Sequence, residues 1–302
     1  MVMTQARPMV EDHDRGLAHD LAMLRALDRR RALGLFGLCG GAVMLTGCGG
    51  EDSVASATPT PSPTSSSTGT VTPTPSPTAT ASSGTCVQYA AETNGPYPAD
   101  GTNTSRGSTS NVLTMAVFQR SDIRSSLIGS ATVADGVLVD VTLTLVDVNS
   151  SCTPLAGYAV YLWHCNATGG YSLYDLPAES YLRGIQVTDA NGQVTFRTIF
   201  PGCYEGRYPH IHFEAFSSLA NATSGNYARL ISQLAMPSDA CTAVYADSAI
   251  YGSSLSRFGR TSLTSDNIFG DNSAAQRTAM TLSMAGSSAS GYTASATVGI
   301  AT

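Results

Sequence analysis

The chain has 302 residues, a formal net charge of −6 and only 13% charged residues. This length allows one large or two modest domains, and a hydrophobic content of 42% is enough for a real core. The acidic balance and the lack of a basic stripe argue against nucleic acid as the main partner.

The first 48 residues are predicted to be an export signal. Arg29-Arg30-Arg31 precedes the apolar run ALGLFGLCGGAVMLTG and Cys48, the order of a secretory signal. The tetrapeptide LTGC resembles a bacterial lipobox, and the arginines fit a twin-arginine route. A membrane-spanning helix is the weaker alternative, because the run is shorter than the ~20 apolar residues a span needs. The sequence therefore predicts an extracytoplasmic protein, lipid-anchored to a bacterial membrane through Cys48.

Residues 49–84 are rich in Pro, Thr and Ser. Such a composition cannot bury enough apolar surface to fold, and its prolines favour extended, solvated backbone. We predict a disordered tether here. The remaining segment, residues 85–302, is the predicted folded domain.

Cysteine use in the predicted domain agrees with export. An oxidising compartment favours disulfides. The domain has an odd number of cysteines, so one thiol would remain unpaired. We predict a bridge between Cys152 and Cys165, because they flank one turn and strand start. The cysteines after Cys48 are Cys86, Cys152, Cys165, Cys203 and Cys241.

Strand patterns dominate the domain. Residues 136–148 alternate apolar and polar side chains, whereas residues 158–165 are apolar on both faces, as in a central strand. Asn191-Gly192 predicts a hairpin between GIQVTD and QVTFRTI. Further strands are predicted at HIHFEAF, LISQLAM and YTASATVGI, with a short helix over 242–252. The pattern predicts an all-β antiparallel β-sandwich with few short helices.

Two histidines stand two residues apart in the segment RYPHIHFEAF. His210 and His212 share one face of a strand, roughly 6.5–7 Å apart along the chain, so both imidazoles can reach one ion. Glu214 continues that face. Two partly buried histidines with ordinary hydrogen bonds are the alternative, and the HxH pattern alone does not decide between them.

The remaining side chains narrow the ligand choice. His164 is the only other histidine of the domain, and thiolates are poor candidates outside the cytoplasm. Carboxylate or phenolate ligands are left. A tyrosine ligates near neutral pH only if the metal displaces its proton. Two phenolates beside two histidines point to ferric iron; the nearby tyrosines are Tyr171, Tyr174, Tyr204 and Tyr208.

Three motifs in this order, WHCNATGGYS, YLRGIQVTDANGQVTFRTIFPGCYEGRYPHIHF and LISQL, resemble the intradiol ring-cleavage dioxygenases, the protocatechuate and catechol dioxygenases. The secreted or lipid-anchored bacterial relatives are the most similar group. The resemblance covers roughly residues 90–300. It implies the sandwich fold of that family and a non-haem Fe(III) cofactor held by Tyr171, Tyr204, His210 and His212.

The resemblance also implies an activity. The family cleaves a small aromatic diol with O2 as co-substrate, between the two hydroxylated carbons, to a cis,cis-muconate-type product. By position, Tyr204 leaves the metal and takes a substrate proton. Arg207 stabilises charge on the ring, and Gln233 lines the same pocket.

Two other functions stay open at this point. A non-catalytic sandwich module would bind catechols or catecholate–iron chelates on the same face, and a zinc or copper hydrolase site is a third possibility. Cys203 departs from the family pattern, where a bulky residue is usual. The sequence does not fix the oligomeric state, and a homodimer is possible.

Overall fold

The strands of the domain form two sheets and one separate hairpin. The computed structural model describes residues 86–105 and 108–302, so the predicted signal (1–48) and tether (49–84) lie outside the described residues. The strands are β1 (Asp100–Ser105), β2 (Ser108–Asn111), β3 (Leu138–Asp147), β4 (Thr153–Pro154), β5 (Ala159–Trp163), β6 (Arg183–Val187), β7 (Gln193–Ile199), β8 (His210–Phe216), β9 (Leu230–Ala235), β10 (Ser283–Ser287) and β11 (Gly291–Ile300).

The two sheets face each other across the main core. One has five strands in the order β10-β11-β3-β4, with β7 also paired to β3, and the other has four in the order β6-β5-β8-β9. The pairs are antiparallel except β11 with β3. Alternate residues of β3, such as Val141 and Leu143, share a core with Ile211 and Phe213 of β8. The predicted β-sandwich is confirmed.

The four-stranded sheet is buried on both faces. Its inner face joins the main core, and its outer face carries a second apolar cluster that includes Tyr161, Trp163 and Phe216. The segment before β1, the segment after β2 and the loop after β5 cover this outer face, supplying Ala99, Val112 and Tyr171 among others. Double burial explains why β5 is apolar at every position, and it places the histidine face of β8 inside the protein.

The predicted hairpin between β6 and β7 is wrong. The turn is present, with Gly192 at φ +73°, but β6 pairs with β5 in one sheet and β7 pairs with β3 in the other. Gly192 packs so closely on β3 that an added Cβ would lie 2.5 Å from the Leu145 carbonyl oxygen. This contact draws the chain from one sheet to the other.

Helices are short and lie between β9 and β10. They are α1 (Ser238–Tyr245), α2 (Ser248–Tyr251), α3 (Ser254–Phe258) and α4 (Ala274–Met280). The single helix predicted over 242–252 is divided between α1 and α2, because Asp247 accepts hydrogen bonds from Ala249 N and Ile250 N and begins a new helix. In the described part of the chain, no helix combines the length and hydropathy that crossing a bilayer requires.

The predicted Cys152–Cys165 disulfide is also wrong. Cys152 is bonded to Cys86, with their Cα atoms 5.8 Å apart. Cys86 precedes Gln88, which bridges to Gly299 of β11, and β11 runs beside β3 to the turn that holds Cys152. Cys165 instead lies in the apolar cluster on the other sheet. Cys165, Cys203 and Cys241 are buried free thiols.

Removing this disulfide should destabilise the domain strongly. The two cysteines are 66 residues apart, and loop closure of that length stabilises the folded state by about 4 kcal/mol. We expect Cys86→Ser/Cys152→Ser to lose about that free energy of unfolding in urea. Wild-type protein unfolded with a reductant is the control and should match the variant. A double variant as stable as the oxidised wild type would contradict the pairing.

Candidate metal centre

β8 carries both histidines on its outer face. Pro209 ends the preceding loop and the strand begins at His210, between β5 and β9. His210 and His212 are 2% and 3% exposed. Because side chains alternate along a strand, Ile211 and Phe213 enter the main core while the two imidazoles meet the layer that covers the sheet.

Four donor atoms converge at this point. The Nε2 atoms of His210 and His212 are 3.1 Å apart, and the Tyr204 hydroxyl lies 3.1 Å from His210 Nε2. The Tyr171 hydroxyl lies 3.5 Å from that of Tyr204. The structure thus brings together all four residues that the sequence predicted as metal ligands.

Burial favours the neutral form of both imidazoles. Burial, together with the charge of Arg207, lowers the pKa of His210 to about 3. Burial and His210 lower the pKa of His212 well below its usual value. His210 Nδ1 lies 2.6 Å from the Tyr208 carbonyl oxygen, which can only accept, so the proton is on Nδ1. Nε2 of His210 therefore presents a lone pair to the centre.

The donor set fits a hard trivalent cation. Burial is the main cause of the raised pKa of both Tyr171 and Tyr204. Neither phenol therefore ionises there without a cation. Two neutral imidazoles, the buried phenol of Tyr171 and the partly buried phenol of Tyr204 are in mutual contact, and this set suits a metal that displaces phenol protons. Within residues 86–105 and 108–302, no three His, Cys, Asp or Glu side chains cluster as a metal site, so a site here depends on tyrosine.

Packing fixes the His212 ring. Trp163 stacks on it with centroids 4.8 Å apart and planes 6° apart. On the segment before β1, Gly95 has φ +73°, and a Cβ there would lie 3.3 Å from His212 Cε1. A glycine is needed for both the backbone angle and the close approach. The sequence patterns do not mark Gly95, although it lies within residues 90–300, the span of the resemblance.

Arg183 fixes the loop that carries Tyr171. This fully buried guanidinium donates to Ser172 Oγ and the Ser172 carbonyl, next to Tyr171. It also donates to the carbonyls of Tyr97 and Pro98 and to the Tyr161 hydroxyl. All five N–H groups are thereby used. Arg183 links the Tyr171 loop to the segment over His212, and only its place in the motif YLRG marked it in the sequence.

Arg207 and Gln233 lie beside the four donors and contact each other. Arg207 Nη2 donates to Gln233 Oε1 at 2.7 Å, and Gln233 pairs with His212 across β8 and β9. Arg207 also forms an ion pair with the buried Asp266, Nε to Oδ2 2.9 Å. Burial lowers the pKa of Arg207, but Asp266, Tyr204 and Tyr171 together outweigh burial and the pKa is raised.

Other residues named from the sequence lie elsewhere. Tyr174 accepts a hydrogen bond from Ala99 N, and the Tyr208 ring packs against Phe258 and Phe269. Glu214 is buried beside Asp100, and burial raises its pKa well above the usual range. The Cys203 thiol points to the Tyr204 and Arg207 carbonyls, so it supports the loop without a disulfide.

The metal-free protein should lose stability as the pH falls below about 6.5. His164, whose pKa burial lowers to about 4, joins His210 and His212 as a neutral buried histidine. The unfolded chain protonates histidine near pH 6.5, so it binds more protons than the folded chain between that pH and about 4. Each histidine should cost about 1.4 kcal/mol per pH unit.

Urea unfolding of the metal-free protein at pH 7, 6 and 5 measures this slope. His164→Gln should remove about a third of it. The same free energy of unfolding at pH 7 and pH 5 would contradict the neutral burial of these rings.

Comparisons with known proteins find similarity to dioxygenases. A family model described as "Dioxygenase" matches residues 129–256. An intradiol ring-cleavage dioxygenase from Tetranychus urticae is 26% identical, with a TM-score of 0.52, over 72% of this chain and 95% of that chain. The crystal structure of a further dioxygenase is 27% identical, with a TM-score of 0.53 and the same two shares.

A third structure is more distant. It is the dioxygenase domain of a carbohydrate-binding fusion protein from Streptomyces sp. SirexAA-E, 20% identical with a TM-score of 0.43, over 71% of this chain and 99% of that chain. No curated protein matched the chain.

Proposed function

We propose that the folded domain is a member of the intradiol ring-cleavage dioxygenase family and cleaves a catechol-type aromatic with O2. The match of residues 129–256 to the "Dioxygenase" family model and the similarity to the intradiol dioxygenase from Tetranychus urticae support this proposal. The ring opens between the two hydroxylated carbons and gives a cis,cis-muconate-type dicarboxylate. Both atoms of O2 enter the product, so the four-electron reduction of O2 is balanced by oxidation of the diol carbons.

The proposal rests on four converging atoms, two phenol oxygens and two imidazole nitrogens. Each of them lies 3.1–3.5 Å from another atom of this set. We propose that Tyr171, Tyr204, His210 and His212 hold a non-haem Fe(III). When bound, this ion would act as a Lewis acid that lowers the pKa of the diol hydroxyls and so favours the electron-rich dianion that can react with O2.

Tyr204 is the proposed proton acceptor. Its hydroxyl lies between His210 Nε2 and the Tyr171 hydroxyl, and burial raises its pKa above that of an ordinary tyrosine. Because of this raised pKa, a Tyr204 phenolate that is not bound to a cation would be a strong base in this site. It therefore takes a diol proton at Oη and keeps it there.

The covering segment and Arg207 complete the site. Gly95 lies against the edge of His212 and Tyr97 against the ring of Tyr171, which limits water near the donors. Arg207 is the proposed stabiliser of negative charge on the substrate ring, and Gln233 holds its Nη2. Such preorganised charge is often the largest single contribution to catalysis.

We also propose that the domain works outside the cytoplasm, lipid-anchored through Cys48. The Cys86–Cys152 disulfide supports this, because such bonds persist in oxidising compartments.

Oxygen uptake with product identification tests the function. Iron-loaded protein mixed with catechol, 4-methylcatechol and hydroxyquinol should consume one O2 per diol and release a dicarboxylate that absorbs in the ultraviolet. A module that only binds diols would change its visible spectrum without oxygen uptake, and that outcome would reject the enzyme.

A further inference from the structure

The Asp266 carboxylate is fully buried, and both of its oxygens accept hydrogen bonds from protein groups. It lies between α3 and α4, in the segment SDNIFGD. Its Oδ2 accepts from Arg207 Nε at 2.9 Å and Tyr208 N at 2.7 Å. Its Oδ1 accepts from Ile268 N at 2.9 Å and Phe269 N at 3.1 Å, and from Arg207 Nη2 at 3.3 Å. Three backbone amides thus fix the carboxylate, and it cannot rotate without leaving buried donors unpaired.

The fixed carboxylate determines how Arg207 is oriented. Two parallel hydrogen bonds to a carboxylate set the plane of a guanidinium. Nη2 donates its second N–H to Gln233 Oε1 at 2.7 Å. Gln233 is itself fixed, because its Nε2 donates to the Thr93 carbonyl oxygen at 3.1 Å. Three of the five N–H groups of Arg207 are therefore committed to Asp266 and Gln233.

One nitrogen of Arg207 is left over. In the part of the chain that the structure describes, Nη1 donates to no protein group, while Nε and Nη2 are both engaged. The side chain is 15% exposed. The same guanidinium is close enough to Tyr204 and Tyr171 for its charge to act on both phenols. Nη1 is thus the free donor of a rigidly held cation beside the four metal-binding candidates.

We propose that Asp266 is a positioning residue that presents Arg207 Nη1 to the bound diol. This role rests on the proposed function, because the diol is the group that Nη1 would meet. A purely structural role is the competing account, in which Asp266 joins the helical segment to the loop before β8 through its backbone donors, Tyr208 N, Ile268 N and Phe269 N. The two differ in one respect: a positioning residue loses its effect when Arg207 is absent.

A double-mutant cycle separates the two accounts. kcat/KM is measured for wild type, Arg207→Ala, Asp266→Asn and the double variant, with iron content and visible spectrum recorded for each. We expect a loss of about 100-fold or more for Arg207→Ala. Asp266→Asn should lose about 10-fold or more alone and less than about 2-fold in the Arg207→Ala background. An equal loss in both backgrounds would overturn the proposal.

A lysine variant keeps the test valid if Asp266→Asn does not fold. Arg207→Lys retains a cation for Asp266 but has no Nη1. We expect it to melt near the wild-type temperature and to lose rate as Arg207→Ala does. A lysine variant with wild-type kcat/KM would show that the orientation of the guanidinium has no role.

A binding measurement on the iron-free protein tests the carboxylate without turnover. Methylguanidinium at millimolar concentration should raise the melting temperature of Arg207→Ala by occupying the vacated position on Asp266. It should not raise that of Arg207→Ala/Asp266→Asn. A shift of equal size in both variants would reject Asp266 as the anchor. Because this readout needs neither iron nor catechol, it remains decisive if wild-type protein cleaves no diol, a result that would reject the proposed function alone.

Discussion

His212→Ala should abolish stable iron binding and ring cleavage together. The ring contributes Nε2 to the four converging donors at 3.1 Å from His210 Nε2. Among the residues that the structure describes, the one remaining histidine, His164, has both ring nitrogens engaged elsewhere. Removal of a residue that only hydrogen-bonds a metal ligand typically weakens metal binding about 10- to 100-fold. Loss of the ligand itself should exceed that, and the red-brown colour expected of phenolates on Fe(III) should disappear.

His164→Gln is the matched control for this variant. His164 is equally buried, but its two nitrogens face the Cys165 carbonyl and the Thr198 hydroxyl, away from the four donors. We expect a less stable protein that keeps its iron and its visible band. Iron content by atomic absorption, measured beside the spectrum, distinguishes the two variants. A His212→Ala protein that retains one iron per chain would show that the nitrogen is not a ligand.

Tyr204→Phe should have the second-largest effect. The change removes one oxygen and keeps the ring that packs near Tyr171 and His210, so the fold should survive. The variant lacks the proposed proton acceptor, and loss of a general base typically costs about 10²–10⁴-fold in rate. The visible band should also move or weaken, because one of two phenolates is gone.

Tyr208→Phe is the control for the missing oxygen. Tyr208 lies four residues from Tyr204, and its ring packs against Phe258 and Phe269. Its contribution to the site is its backbone carbonyl, which accepts from His210 Nδ1, and phenylalanine leaves that carbonyl unchanged. We expect wild-type colour and rate. Equal losses in both variants would place the effect on packing rather than on the Tyr204 oxygen.

Much of the site could be predicted from the sequence because its chemistry is concentrated in one strand and its flanks. His210 and His212 follow from a period of two in β8, and Arg207 and Tyr204 stand in the loop before it. Tyr171 lies before β6, far from β8 along the chain, and the resemblance rather than any spacing identified it. The structure explains the placement through Arg183, which no periodicity marks.

The errors have a common physical origin. Asn191-Gly192 favours a hairpin locally, yet the packing of Gly192 on Leu145 sends the chain to the other sheet. Cys152 and Cys165 are near each other in sequence, whereas the actual partner, Cys86, reaches Cys152 through its place beside β11. No local pattern points to Asp266, since it lies 59 residues after Arg207. Long-range contacts decided all three, and local patterns do not encode them.

The most direct test of the proposed iron-dependent ring cleavage is a single-turnover experiment with labelled oxygen. Iron-loaded protein is mixed with catechol without oxygen, the visible spectrum is recorded, and ¹⁸O2 is then admitted. The proposal predicts a shift of the visible band on catechol binding, followed by a cis,cis-muconate that carries both ¹⁸O atoms by mass spectrometry. A colourless iron-free protein from iron-replete cells, or a spectral shift with no product after oxygen, would contradict it.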